Sequence, residues 1–364
     1  MTRALGVRYL WIDSLCIIQP HLAHWDTGLE DWNVEAKKME TYYNLAYCTL
    51  AATSASGSSD GFLKPRKATD FVKLRGKFSS PLYVYEKIDH FEDDVMEGGL
   101  NKRGWVFQER ALSRRIIHFT STQTYWECGK GVRCESLGKM SNPRALLMSD
   151  AHFPHFVENR PGKSQMRLFQ ELYTKYTTLD LTSPSDRSVA VLGLEERLSR
   201  VFRTDAQYGT VQNYLHRSLL WRRRQDKLHP IEYPDNRPIP SWSWMARYGQ
   251  IEYMDIPFGE VEWNMSVQCD FSSRELSGIC SNVLLDNIHN KEDLIFDDPE
   301  EGEKLTKVDC ILLGKRYVAE DIPGQQGAQD HQEAHLGLYY VLLVVPVPAD
   351  GSQNVYGAHY PEGK

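Results

Sequence analysis

No stretch of this sequence approaches the ~18 consecutive apolar residues of a membrane-spanning helix. The longest apolar run, Leu338-Tyr-Tyr-Val-Leu-Leu-Val-Val-Pro346, has the length of a strand and ends in proline. A helical membrane span is thereby excluded. Basic runs are equally scarce: 42 Lys and Arg stand against 49 Asp and Glu, a formal net charge of −7, and the Trp221-Arg-Arg-Arg224 cluster is short. Nucleic acid is therefore not an expected partner. Cysteine is sparse and odd in number, seven in 364 residues with no signal peptide. That usage fits a reducing compartment, so a cytoplasmic location is expected. Cys128 and Cys134 are separated by Gly-Lys-Gly-Val-Arg, and no second Cys or His pair stands at zinc-site spacing, so no metal is expected. Neither a Gly-x-Ser-x-Gly nucleophile turn nor a Gly-x-x-x-x-Gly-Lys-Ser/Thr phosphate loop occurs, and no cofactor is expected.

What is present is a pair of dense motifs. Arg8-Tyr-Leu-Trp-Ile-Asp-Ser-Leu-Cys-Ile-Ile-Gln19 and Arg103-Gly-Trp-Val-Phe-Gln-Glu-Arg-Ala-Leu-Ser-Arg-Arg-Ile-Ile-His-Phe-Thr120 set charged and aromatic residues inside apolar runs. Segments that only pack carry Val, Leu or Ile there. Residues 8 to 13 read as a buried strand of a parallel sheet, with Asp13 at its carboxyl end. Between the motifs, residues 31 to 46 read as one helix with Trp32, Ala36, Met39 and Tyr43 on a single face, capped through Thr27 or Asp31. Ala46 to Ala52 returns to strand character and Thr53 to Gly61 is turn-rich. Strand, helix, strand implies an α/β unit. Pro81 to Tyr85 reads as a strand, Glu92 to Asp94 as a solvated acidic turn, and Gly104 to Leu112 as a short helix. Two strands, 115 to 119 and 122 to 127, then form a hairpin.

From about residue 136 the composition changes, with Asn142-Pro143, Phe153-Pro154 and Arg160-Pro161-Gly162 marking a linker. Three helices are expected beyond it, on the stripes Met166, Phe169, Tyr173, Tyr176; Val191, Leu194, Leu198, Val201; and Tyr208, Val211, Leu215, Leu219. After Pro238 the period shortens to two, most clearly from Val261 to Phe271. Residues 308 to 313 and 339 to 345 add strands, with 290 to 303 an acidic loop between them. The expected division is 1–135, an α/β domain; 136–225, a helical extension; and 226–364, a mostly antiparallel β-rich domain.

Three carboxylates are candidates for chemistry. Ligands of open α/β sheets bind beyond strand carboxyl ends, which favours Asp13; capping of neighbouring amides explains it equally. Cys16 is expected to fill the core as a small hydrophobe. Glu35 borders the packed helical face, and Glu109 lies four residues after Trp105 on the same side. A carboxylate half-buried beside Trp titrates high and serves as a general acid or base. A structural ion pair with the nearby Arg103, Arg110, Arg114 or Arg115 is the alternative. His118, within Ile117-His-Phe119, is expected to reach solvent or a backbone carbonyl. Trp242 and Trp244 are expected in a core or interface.

The three blocks, in this order and spacing over roughly the first third of the chain, resemble the HET (heterokaryon incompatibility) domain of filamentous fungi. The residues that carry the resemblance are Trp11, Asp13, Cys16, Trp32, Glu35, Arg103, Gly104, Trp105, Gln108 and Glu109. It implies a signalling module in non-self recognition and programmed cell death that works through protein partners or self-association. It also implies a remote likeness to TIR domains, some of which cleave the nicotinamide–ribose bond of NAD with a glutamate. The family opens with a strand carrying aromatic-x-x-Leu-Ser-Tyr-x-Trp-Gly, and Met1 stands only seven residues before Arg8. An N-terminally truncated, incomplete TIR-like sheet is the expectation from that departure.

Overall fold

The computed structural model describes residues 1–18, 25–65, 70–74, 82–85, 90–135, 139–140, 157, 162–234, 238–285, 294–318, 336–344 and 358–361. They form two compact units. The first comprises residues 1–159, 179–182 and 189–197; the second comprises 160–178, 183–188 and 198–364. The expected linker prolines 143, 154 and 161 lie outside the described residues.

The first unit is a mixed helix and sheet structure. Its helices are α1 (Asp13–Cys16), α2 (Trp25–Lys37), α3 (Met39–Leu45) and α4 (Gly104–Leu112). Its strands are β1 (Thr49–Ala51), β2 (Phe71–Leu74), β3 (Leu82–Tyr85), β4 (Arg115–Phe119), β5 (Thr124–Cys128), β6 (Gly131–Cys134) and β7 (Lys139–Met140). The sheet runs β1-β4-β5-β6-β7, with β2 and β3 forming a separate hairpin. Only β1 and β4 pair in parallel, Leu50 opposite Ile117; the remaining pairs are antiparallel. The turn between β4 and β5 closes through Thr120, whose amide and hydroxyl both donate to the Gln123 carbonyl.

Several expectations are corrected here. Residues 8 to 12 form no strand: Ile12 has extended dihedrals, but the chain turns into α1 at Asp13, so that carboxylate does not end a strand. Apolar content had suggested burial, yet Tyr9, Leu10 and Ile12 face solvent. The expected single helix over 31 to 46 begins earlier, at Trp25, and breaks at Lys38 into α2 and α3. Asp31 therefore lies inside a helix, and its Oδ2 accepts the Ile18 amide at 2.7 Å instead of capping its own helix. Glu92 to Asp94 starts a π-helical turn, Glu92–Met96, on which Glu92 and Asp93 are exposed as expected. Asp94 is drawn inward by the Tyr125 hydroxyl, which donates to it at 2.7 Å.

In the second unit, the helix Lys163–Tyr176 buries Met166, Phe169, Tyr173 and Tyr176 on the expected stripe. The helix expected from Tyr208 to Leu219 is mostly absent. Tyr208 and Gly209 both adopt positive φ, 56° and 73°, which turns the chain into a small hairpin and leaves a 3-10 turn at Gln212–Tyr214 and an α-helix only at Leu215–Leu219. Gly209 is required there, because a Cβ would stand 2.1 Å from Trp244 Nε1. The expected long strand from Val261 to Phe271 is two short ones, Val261–Trp263 and Gln268–Asp270. Asn264 breaks it, its Oδ1 accepting both the amide and the hydroxyl of Ser266 in a local turn. The main sheet is wholly antiparallel and centres on the hairpin of Lys307–Val318 with Leu336–Val344. Its core gathers Leu215, Leu219, Trp242, Ile311, Leu313 and Leu342. Part of the expected acidic loop, residues 290–293, lies outside the described residues; beyond it stand a short strand, Ile295–Phe296, and a helical turn, Pro299–Gly302.

Candidate functional site

Two carboxylate clusters flank α4, and consecutive residues of that helix point into them. Helical geometry places Glu109 one turn after Trp105 on the less buried side, while Arg110 is carried inward with Val106, Phe107 and Ala111.

On the open side the two motif blocks meet. The segment before α1 lays Trp11 against α3, its ring 4.9 Å from that of Tyr42 and 5.8 Å from that of Tyr43. Trp32 of α2 meets Trp105 of α4 edge to face at 6.1 Å. Inside this aromatic surround the Tyr43 hydroxyl hydrogen-bonds Glu109, and both Asp13 and Arg103 act on the Glu109 carboxyl through their charges. Burial of that carboxyl is the largest influence and pushes its pKa up to about 7; the Asp13 charge pushes the same way, whereas Tyr43 and Arg103 oppose. Burial also pushes the Tyr43 phenol far above its usual range. A carboxylic acid that exchanges its proton near neutrality beside a second carboxylate is equipped for general acid or base work.

Glu35 differs. It accepts a hydrogen bond from Lys38 Nζ at 2.7 Å and a short one from the Tyr42 hydroxyl, and these hold its pKa below the ordinary carboxylate value. Tyr42 rises in return to about 12, chiefly through the same bond. The structure thus brings Trp11, Asp13, Trp32, Arg103, Trp105 and Glu109 together and sets Glu35 beside them as a paired, ionised group. Cys16 is exposed, contrary to its expected core role, because α1 presents it outward. All seven cysteines are free thiols.

Gly104 and Gln108 serve the fold. The Gly104 amide donates to the Asp180 carbonyl at 2.7 Å, and a Cβ at Gly104 would stand 2.6 Å from Leu181 Cδ2. Gln108, fully buried, accepts the Gly193 amide at 2.7 Å through Oε1. The Arg-Gly-x-x-x-Gln part of the motif therefore anchors residues 179–182 and 189–197 within the first unit, leaving Trp105 and Glu109 for the open face.

The inward cluster was not legible as a site. Arg110 reaches Glu127 of β5 with two hydrogen bonds, Nε to Oε2 at 3.0 Å and Nη2 to Oε1 at 2.7 Å. His118 of β4, expected to reach solvent or a carbonyl, is instead 1 % exposed with Nε2 2.7 Å from Glu127 Oε2. Strand alternation dictates this, since His118 lies opposite Tyr125 and Glu127 follows two residues later on the same face. Burial alone would raise the Glu127 pKa, but Arg110 and His118 hold it well below the usual range. Burial lowers that of His118. A neutral His118 accordingly donates from Nε2 to the carboxylate, and Nδ1 faces the Thr53 hydroxyl at 3.5 Å. The inward alternation of His118 and Glu127 with Ile116 and Tyr125 was the signal available in the sequence. No group of three or more His, Cys, Asp or Glu side chains suited to a metal ion occurs among the described residues.

Residues 1–109 match the family model described as heterokaryon incompatibility protein (HET). The chain carries a HET domain. No curated protein and no solved structure matches it. The HET match covers α1 to α3, the part of α4 up to Glu109 and the residues of the open cluster, and it associates the chain with heterokaryon incompatibility in the broad sense. No helix among the described residues is long and apolar enough to cross a membrane.

Proposed function

We propose that this chain is an incompatibility-type signalling module of fungal non-self recognition, working in the cytoplasm through protein interaction and leading to growth arrest and cell death. The observation that carries the reading is the HET match together with the convergence of its motif residues on one open face. Its three-part organisation, 1–135, 136–225 and 226–364, belongs to the same proposal. The test is expression of the full chain in a filamentous fungus, with growth and viability scored. Growth arrest that disappears on Trp11→Ala supports the reading, and unimpaired growth with abundant folded protein refutes it.

A second reading is favoured by Glu109. In a TIR-like arrangement, a glutamic acid that titrates at about 7 beside Asp13, within an aromatic surround, suits cleavage of an N-glycosidic bond such as the nicotinamide–ribose bond of NAD. The catalytic role falls to Glu109, with Asp13 and Tyr43 setting its proton affinity; Glu35, ion-paired and ionised, is the weaker candidate. Nicotinamide release from NAD by the purified chain, abolished by Glu109→Gln and retained in Glu35→Gln, supports this reading. Absence of turnover by the folded chain removes it and leaves the signalling reading standing.

A further inference from the structure

The hairpin of β2 and β3 leaves apolar side chains in water on both of its faces. It pairs with no third strand among the described residues. Its register sets Val72 opposite Val84 and Lys73 opposite Tyr83, so Val72, Leu74 and Val84 share one face and Phe71, Lys73 and Tyr83 the other. The five apolar and aromatic members of these faces are between 45 % and 63 % exposed. A lone two-stranded hairpin is at best marginally stable in water, and apolar side chains shown to water together mark a contact surface.

The charge of this stretch selects what covers it. From residue 66 to residue 87 the sequence carries six Lys and Arg against Asp70 and Glu86, whereas the whole chain has a net charge of −7. A basic, apolar hairpin in an acidic chain is complementary to a surface that is anionic outside and apolar beneath. Its two exposed faces favour lipid over a folded partner, which would cover one face and leave the other wet; a fluid headgroup region wraps both. The side chains are of the kind that hold this level. The Lys73 ammonium lies 5.7 Å from the centre of the Tyr83 ring, and Phe71 meets the same ring edge to face at 5.2 Å. Such lysine stems and tyrosine rings keep an apolar body inward and a polar tip in water. Strand edges without partners keep the hairpin out of the hydrocarbon, where unpaired backbone groups are not tolerated.

We propose that the β2–β3 hairpin docks this protein on an anionic lipid surface, with Val72, Leu74 and Val84 toward the acyl boundary and Phe71, Lys73 and Tyr83 among the headgroups. The contact is peripheral, and the cytoplasmic leaflet, rich in anionic lipid, is a surface of this kind. It goes beyond the signalling reading and does not rest on it.

The test uses the full chain, mixed with vesicles of phosphatidylcholine alone or with about 30 % phosphatidylserine and separated by flotation. Binding is expected on the anionic vesicles, about tenfold weaker on phosphatidylcholine, and reduced when NaCl is raised from about 0.1 M to about 0.5 M. Val84→Asp and Lys73→Glu, both at exposed positions, are each expected to weaken binding about tenfold. Unchanged circular dichroism and an unchanged unfolding midpoint show that each variant keeps the fold. Absence of binding to the anionic vesicles overturns the proposal. Binding that Val84→Asp leaves intact also overturns it, since adsorption would then rest on charge alone. Self-association of the chain that Val84→Asp abolishes, with lipid binding unaffected, would make a second copy the occupant and overturn it as well.

Discussion

Glu109 and Glu127 are the same residue type placed on either side of one short helix, and their proton affinities move in opposite directions. Both lose solvent. Glu127 meets the Arg110 guanidinium in two-pronged geometry and a histidine besides, so its charge is kept. Glu109 meets a phenol and a second carboxylate, with the Arg103 charge too weak to offset burial, so its proton is kept to about pH 7. Burial alone therefore does not set the charge of a carboxyl; the sign of the nearest fixed charge does. The inward cluster spends its electrostatics on holding sheet and helix together, whereas the open cluster leaves a proton available for chemistry.

The largest expected effect comes from breaking the inward cluster. Arg110→Met leaves Glu127 buried with only the neutral His118 to donate to it and no compensating cation, and such losses cost ~3–5 kcal/mol. Urea unfolding should show that loss at pH 7, and an unchanged midpoint would mean that water reaches Glu127. Acid should act in the same sense on the unaltered chain. The folded His118 and Glu127 both have lowered proton affinity, so the unfolded chain binds protons more readily. Stability is then full above the unfolded histidine value of ~6.5 and falls as pH drops, with a second decline below ~4.5 as carboxylates protonate. Replacing His118 by Asn should flatten the upper part of that decline.

Glu109 has the opposite linkage. Its folded pKa is raised, so the stability it confers is complete below ~4.5 and is lost as pH rises through about 7. Glu109→Gln should consequently raise stability at pH 8 by about 1 kcal/mol, after allowance for its partial exposure, and change little at pH 4. The contrast with Arg110→Met, one residue further along the helix, is the sharpest form of the comparison. Tyr43→Phe is a smaller change: it removes the hydrogen bond that lowers the Glu109 pKa, and should move its titration upward. Smallest of all is Lys38→Met. The Lys38 side chain is 50 % exposed, and an exposed pair at this helical spacing is worth ~0.3–0.5 kcal/mol.

How much of this was legible in the sequence depended on whether a local pattern or a distant partner decided the outcome. Helix α4 has the bounds expected of it because Trp105, Gln108 and Leu112 recur at helical spacing within nine residues. The β4–β5 hairpin followed from alternation on both sides of a Thr-Ser-Thr turn. The segment from Arg8 to Asp13 failed because apolar content was taken as burial, and burial needs a neighbour that the sequence does not name. Tyr208 to Leu219 departs from a helix because the spacing runs across a Tyr-Gly pair in the left-handed region, with Trp244 packed where a Gly209 Cβ would stand. At the site, Glu109 was singled out from its spacing to Trp105. Tyr43, which bonds it, was seen only as a helix-face aromatic. Arg110, Glu127 and His118 were invisible as a cluster because strand register unites them, and register is set by pairing between segments.

The measurement that bears most directly on this account is the titration of the Glu109 carboxyl, followed by carbon NMR of glutamate-labelled full chain and assigned by the signal missing from Glu109→Gln. The account predicts one glutamate signal with a midpoint at about 7, which moves upward in Tyr43→Phe. A Glu109 signal that titrates with the exposed glutamates below pH 5 would contradict it, and would leave the open cluster without a proton to exchange at neutral pH.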